Sequence, residues 1–147
     1  LFYLRRKTMA IKLHTIGQIE HGVYPYENAV ASADTFNGAF GDVSSGKFTV
    51  GEKKAKAIMQ IERGDDEYMP TYPIRKDEQV RVINLEKLDG EIIEVYGDEL
   101  PTTVAVGNKL ESDATGNLVT GASTAPYLEV TKVIGNHLGV EAKVVAK

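Results

Sequence analysis

The stretch from Gly41 to Lys47 comes nearest to a motif that does chemistry. Its two glycines, followed by Lys47, have the spacing of a phosphate-binding loop. A working loop needs Ser or Thr after the lysine to hold magnesium, and Phe48 stands there instead. It also needs a helix after the lysine, whereas residues 47–50 have the composition of a strand. We therefore expect residues 41–46 to form a surface loop without a nucleotide.

Acidic and imidazole side chains are present without the spacing of a reactive centre. The adjacent acids of residues 65–67 lack the alternate positions and central glycine of a calcium loop, so we expect a hydrated turn. His14, His21 and His137 are isolated from one another along the chain. No Gly-x-Ser-x-Gly elbow accompanies them. We expect no catalytic residue, no metal site and no cofactor.

Four aromatic residues of the N-terminal part are candidates for binding: Tyr24, Tyr26, Phe36 and Phe40. Such residues can stack on glycans or bases. They can equally fill a core, or anchor a protein partner through a large contact area at small entropy cost. We favour the last two roles and take all four as candidate partner contacts.

Composition excludes several function classes. The chain has 147 residues, which suits one domain or a domain with a small appendage, and it has no cysteine to form disulfides or thiolate metal sites. Its net charge is −4, and without the three basic residues of positions 1–8 the remainder carries −7. An acidic protein of this kind binds nucleic acid poorly, so we expect no nucleic-acid partner. No apolar run approaches the ~18 residues that a membrane span requires.

The chain divides most naturally near two prolines. Pro70 and Pro73 suit an edge or a connector, so we expect an N-terminal arm and small β region at residues 9–74 and a C-terminal β-barrel or sandwich unit at 75–147. Residues 1–8 precede a sequence that resembles a natural N-terminus at Met9. We expect them to lie upstream of the fold.

The C-terminal unit shows short strands separated by turns. Strands are predicted at residues 80–85, 91–96, 103–106, 109–112, 117–120, 127–134 and 140–146. Asp89-Gly90 suits a type I′ turn, and Asp113 with Gly116 suits a type I turn. The pattern predicts a mainly β fold, an antiparallel β-sandwich or small barrel with an extended, loop-rich N-terminal part.

The N-terminal part is less regular. We predict short strands at residues 11–16 and 47–50, and a turn at Asn37-Gly38 within either a hairpin or a long ordered arm. Residues 52–63 have the composition of a helix, yet their apolar side chains also alternate at strand period. We predict a strand at 55–62.

Residues 80–147 resemble the β-rich decoration, or cement, proteins of tailed-phage capsids. The resemblance rests on Gly107 to Glu111, the hairpin of residues 113–119, the strand 127–130 and the closing strand 140–145. It implies a non-enzymatic virion protein, made in the bacterial host cytoplasm, that binds the outer surface of the major capsid protein lattice. It also implies a homo-oligomer, a trimer, that stabilises the capsid across subunit joints.

Two other functions stay open at this point. One is a phage tail-tube or head–tail joining protein, which would also use β structure. The other is a small hydrolase or nucleotide-binding enzyme, which would need a cleft where carboxylates or a histidine converge.

Overall fold

The structure is a computed structural model, and it describes residues 10–13, 25–59, 73–97, 100–101, 103–135 and 139–147. Within these ranges it contains thirteen β-strands and one 3₁₀ helix, Leu85–Leu88. The strands are β1 Ala10–Leu13, β2 Tyr26–Ala31, β3 Thr35–Phe36, β4 Phe40–Ser44, β5 Lys47–Val50, β6 Lys56–Ile58, β7 Pro73–Ile74, β8 Gln79–Asn84, β9 Ile92–Tyr96, β10 Lys109–Ser112, β11 Leu118–Thr120, β12 Tyr127–Ile134 and β13 Gly139–Val145. The mainly β fold is confirmed. No helix within the described ranges is long and apolar enough to cross a bilayer.

Most of the strands form a small closed barrel and a larger open sheet. The barrel has the order β2-β5-β4-β6-β8, and the sheet has the order β1-β9-β13-β12-β10-β11. A separate two-stranded sheet joins β3 to β7. Pairing is antiparallel except between β2 and β5, which run parallel. The predicted antiparallel arrangement therefore fails at one pair of barrel strands, β2 and β5.

The barrel interior is narrow and holds compact side chains. On β2, Ala29 and Ala31 are buried and point to the same side as Phe48 of β5, which lies opposite Ala31. Val80 and Val82 of β8 continue this lining, because they pair with Ala29 and Glu27. A five-stranded barrel leaves space for few large residues, so alanines opposite one phenylalanine fill it.

The open sheet packs one face on the outside of the barrel. Phe40, Ala57 and Ile83 point out of the barrel, because they alternate along their strands with the residues that line its interior. They are nevertheless buried, since the open sheet covers them. The buried face of the sheet supplies mainly branched aliphatic residues: Ile93, Val95, Leu110, Leu118, Leu128, Val130, Val140, Ala142 and Val144. Side chains alternate along β13, with Val140, Ala142 and Val144 buried and the residues between them half-buried or exposed.

The strands do not divide at the expected boundary near residue 74. Strand β8 lies C-terminal to that boundary but closes the barrel between β2 and β6. Strand β1 lies N-terminal to it but pairs with β9 in the sheet. The barrel is thus built largely from the N-terminal part, where we expected an arm and a small β region.

The turn at Asp89-Gly90 differs from the prediction. Asp89 has φ −53° and ψ 128°, and Gly90 has φ 84°, which are the angles of a type II turn. The amide of Glu91 donates to the carbonyl of Leu88 at 2.9 Å. The turn ends the 3₁₀ helix, and β8 and β9 belong to different sheets. The prediction of a type I′ turn was therefore wrong, because β8 and β9 do not form the hairpin that such a turn would connect.

Candidate docking surface

The four predicted partner contacts lie in different environments. Tyr24 lies outside the described residues. Tyr26 is half-buried on β2, with the guanidinium carbon of Arg81 4.2 Å from its ring centroid. Arg81 also donates from Nε to the carbonyl of Met59 at 3.1 Å, which fixes the guanidinium over the ring. Tyr26 as a partner contact stays a prediction.

Phe36 and Phe40 lie in the core. Their relative exposures are 8% and 2%, and both belong to the main hydrophobic cluster. Phe40 lines a cleft between barrel and sheet together with Leu110 and Leu118. Of the two roles favoured for these aromatics, the conformation described here gives both phenylalanines the core-filling one.

The segment that resembles a phosphate-binding loop is a β-hairpin. Residues 41–44, predicted as loop, belong to β4, and β5 follows a turn in which Ser45 has φ 52° and Gly46 has φ 75°. Two residues with positive φ form a type I′ turn, which matches the twist of the flanking strands. No helix follows Lys47, so its amides and side chain cannot form the phosphate cradle.

The other chemical candidates fall largely outside the described residues. This holds for the acids of residues 65–67 and for His14, His21 and His137. Within the described part of the chain, no three His, Cys, Asp or Glu residues are grouped so that they could hold a metal ion.

One group of opposite charges lies on the barrel. Lys56 Nζ is 2.8 Å from Glu27 Oε1 and 3.9 Å from Asp42 Oδ1, and Lys54 Nζ is 4.0 Å from Asp42 Oδ2. These ion pairs join β2, β4 and β6 across the barrel. Because each charge has an opposite partner, we assign the group a structural role.

The solvent-facing side of the six-stranded sheet is the broadest candidate for binding a partner. We call it the outer sheet face and define it by residues that alternate with the buried ones: Ile92, Glu94, Tyr96, Lys109, Glu111, Val119, Tyr127, Glu129, Lys132, Glu141, Lys143 and Val145. It contains four glutamates and three lysines, together with aromatic and aliphatic side chains. It can therefore contact a protein surface by both charge and apolar area.

The charges on the outer sheet face are ordered by strand register. Glu129 lies between Lys109 on β10 and Lys143 on β13. The ammonium of Lys109 is also 5.1 Å from the ring centroid of Tyr127. Opposite charges on neighbouring strands stabilise the sheet modestly and hold the side chains in place.

Two glutamates on this face oppose each other. Glu94 pairs with Glu141, and the hydroxyl of Tyr96 donates to Glu94 Oε1 at 3.0 Å. Burial raises the pKa of Tyr96 above its ordinary value near 10, and the hydrogen bond to Glu94 and the negative charges of Glu94 and Glu141 raise it further. The hydroxyl of Tyr96 therefore stays protonated, and remains a hydrogen-bond donor, to a higher pH than an ordinary tyrosine does.

Two large apolar side chains are exposed in the described part of the chain, Val119 on the outer sheet face and Val106 in the turn before β10. Val106 is 66% exposed and Val119 is 38% exposed. Val106 lies in a rigid turn, because Asn108 Oδ1 accepts from the amide of Ala105 at 2.8 Å and the amide of Gly107 donates to Val130 at 2.8 Å. The prediction of a strand at residues 103–106 was wrong, because these residues contain no strand. The sequence Val-Ala-Val-Gly gives no local signal that a turn exposes Val106.

No protein-family model matches the chain, and no curated protein matches it in sequence.

Proposed function

We propose that the protein is a non-enzymatic virion component that binds the outer surface of a tailed-phage capsid and stabilises it across subunit joints. The outer sheet face is the observation that carries the proposal. Its residues are exposed or half-buried, and it is held in shape by strand pairing and by the barrel behind it. A rigid surface loses little conformational entropy on binding, so most of the contact energy is available for affinity.

Stabilisation of a capsid follows from contacts that cross a joint. Packaged DNA presses outward on the shell, and a protein bound to two neighbouring subunits adds contacts that must break before the joint opens. The mixed charges of the outer sheet face suit this role, since charge pairs fix the register of docking and disfavour other surfaces.

The test uses purified phage heads that lack the protein. Added protein should bind the heads and raise the temperature at which they rupture. In a charge-reversal variant, Lys109→Glu with Lys143→Glu, binding should weaken and the thermal protection should be lost. The matched control, Lys47→Glu with Lys87→Glu, reverses two exposed lysines away from this face and should behave like the parent protein. Absence of binding by the parent protein would refute the proposal.

A second candidate is a tail-tube or head–tail joining protein. It is favoured by the outer edge of β11, which pairs with no other strand in the described part of the chain. Rings or tubes formed by the isolated protein, seen by electron microscopy, would support this candidate over capsid decoration.

A further inference from the structure

Asn37 is followed by Gly38, and this is the one Asn-Gly pair in the sequence. Asparagine before glycine is prone to deamidation, because glycine has no side chain to shield its amide. In that reaction the Gly38 nitrogen loses its proton and bonds to Cγ of Asn37. The side-chain amide takes up a proton and leaves as ammonia, and water then opens the cyclic imide to aspartate or isoaspartate.

The structure places this pair in a buried turn between β3 and β4. Asn37 is 1% exposed, and the amide of Ala39 donates to the carbonyl of Phe36 at 3.2 Å. Asn37 has a negative φ and Gly38 has φ 85°, which is the combination of a type II turn. In such a turn the Gly38 nitrogen points away from Cβ of Asn37. Closing the imide ring therefore requires a large rotation of the backbone.

Strand β6 holds the turn in place through two hydrogen bonds. The amide of Gly38 donates to the carbonyl of Ile58 at 2.9 Å, and the amide of Ile58 donates to the carbonyl of Ala39 at 3.0 Å. Ile58 is itself fully buried. The proton that Gly38 must lose is thus shared with a buried carbonyl and is shielded from base in solution. Attack on Asn37 can begin only after the turn separates from β6.

We propose that Asn37-Gly38 is a latent modification site, closed in the native fold and deamidated only when this turn detaches from β6. The product cannot re-form the native turn. Deamidation puts a carboxylate at a buried position, where an unpaired charge is costly, and isoaspartate also adds one carbon to the main chain. Deamidation therefore makes a transient opening permanent. This inference is independent of the proposed function.

Peptide mapping by mass spectrometry at mildly alkaline pH measures the reaction at Asn37. In native buffer the rate should be at least about a hundredfold lower than in concentrated urea, because only the small open fraction of molecules can react. An equal rate in the two solutions would overturn the proposal.

A matched control puts a second Asn-Gly pair in an exposed turn of the same molecule. Ser45→Asn does so in the β4–β5 hairpin, where Ser45 is exposed with φ 52° and asparagine suits the turn. In the folded variant this second pair should deamidate at least about tenfold faster than Asn37-Gly38, because it needs no detachment of strands. Equal rates at the two pairs would show that the fold does not protect Asn37.

Refolding tests whether the product is excluded from the native state. The parent protein is held in urea until part of its Asn37 has reacted and is then diluted into native buffer, and size-exclusion chromatography separates folded from unfolded chains. The folded fraction should contain at least about tenfold less isoaspartate at position 37 than the unfolded fraction. Asn37→Asp should also lower the urea midpoint of unfolding, whereas Ser45→Asp should leave it unchanged. Equal isoaspartate in both fractions, or an unchanged midpoint in Asn37→Asp, would refute this part of the proposal.

Discussion

Ser112 joins the two layers through its side chain. It is 2% exposed, its hydroxyl donates to the carbonyl of Gly51 at 2.9 Å, and it accepts from the amide of Lys54 at 2.9 Å. Ser112→Ala leaves both backbone groups without this partner, so we expect the free energy of unfolding to fall by about 1–3 kcal/mol. Urea denaturation measures the change. Ser44→Ala, at an exposed position of β4, should change it by less than about 0.5 kcal/mol. Equal losses in the two variants would contradict the assigned role.

Tyr96 gives a prediction about pH. Its pKa is higher in the folded chain than its ordinary value near 10, so the folded state holds this proton more tightly. The resulting contribution to stability is fully present below the ordinary value and is lost as pH rises through the folded pKa. Glu94→Gln should lower the pKa of Tyr96, while burial keeps it above the ordinary value.

NMR titration of the Tyr96 ring measures this pKa. Glu129→Gln is the matched control, because it removes another carboxylate of the outer sheet face that does not contribute to the shift. An unchanged pKa in Glu94→Gln, or an equal decrease in both variants, would show that the carboxylate of Glu94 has no special influence on Tyr96.

At the scale of elements, the β4–β5 hairpin depends on Gly41. A Cβ atom built there would overlap the backbone carbonyl of Thr49 on the paired strand. Gly41→Ala should therefore destabilise the fold by at least about 3 kcal/mol, because neither backbone can move without opening the barrel. Gly46→Ala is the control: it meets open space, and its positive φ costs only about 1–2 kcal/mol. Thermal unfolding compares the two, and a smaller loss for Gly41→Ala would contradict the close approach.

Turns and strand positions were predictable where their causes are local. Asp113 Oδ1 accepts from the amides of Thr115 and Asn117, and Gly116 has φ 85°, as the turn chemistry of this hairpin indicated. Strand β6 at residues 56–58 confirms strand over helix in the described part of the predicted segment 55–62.

Partners of the strands were not predictable, because they depend on contacts far apart in sequence. Nothing local to residues 79–84 shows that they pair with β2 and β6 and not with β9. The position of β11 at the end of the sheet was not predictable for the same reason, because a strand is an edge strand only through its place in the whole sheet. The residue type left Phe40 open to core filling or to a partner contact, and in the packing of the two layers it is buried in the core.

The two halves of the chain depend on each other to fold, because each contributes a strand to the sheet that the other half mainly builds. A fragment of residues 75–147 contains β8 without its partners β2 and β6, and β9 without β1. It also lacks Phe40, which is 2% exposed in the intact chain. We expect this fragment to show poor NMR dispersion and no cooperative unfolding, because it exposes apolar surface on both sheets. A fragment of residues 9–147 keeps every described strand and should unfold in one transition. Cooperative unfolding of 75–147 alone would mean that this part is an autonomous domain and that the shared strands are dispensable.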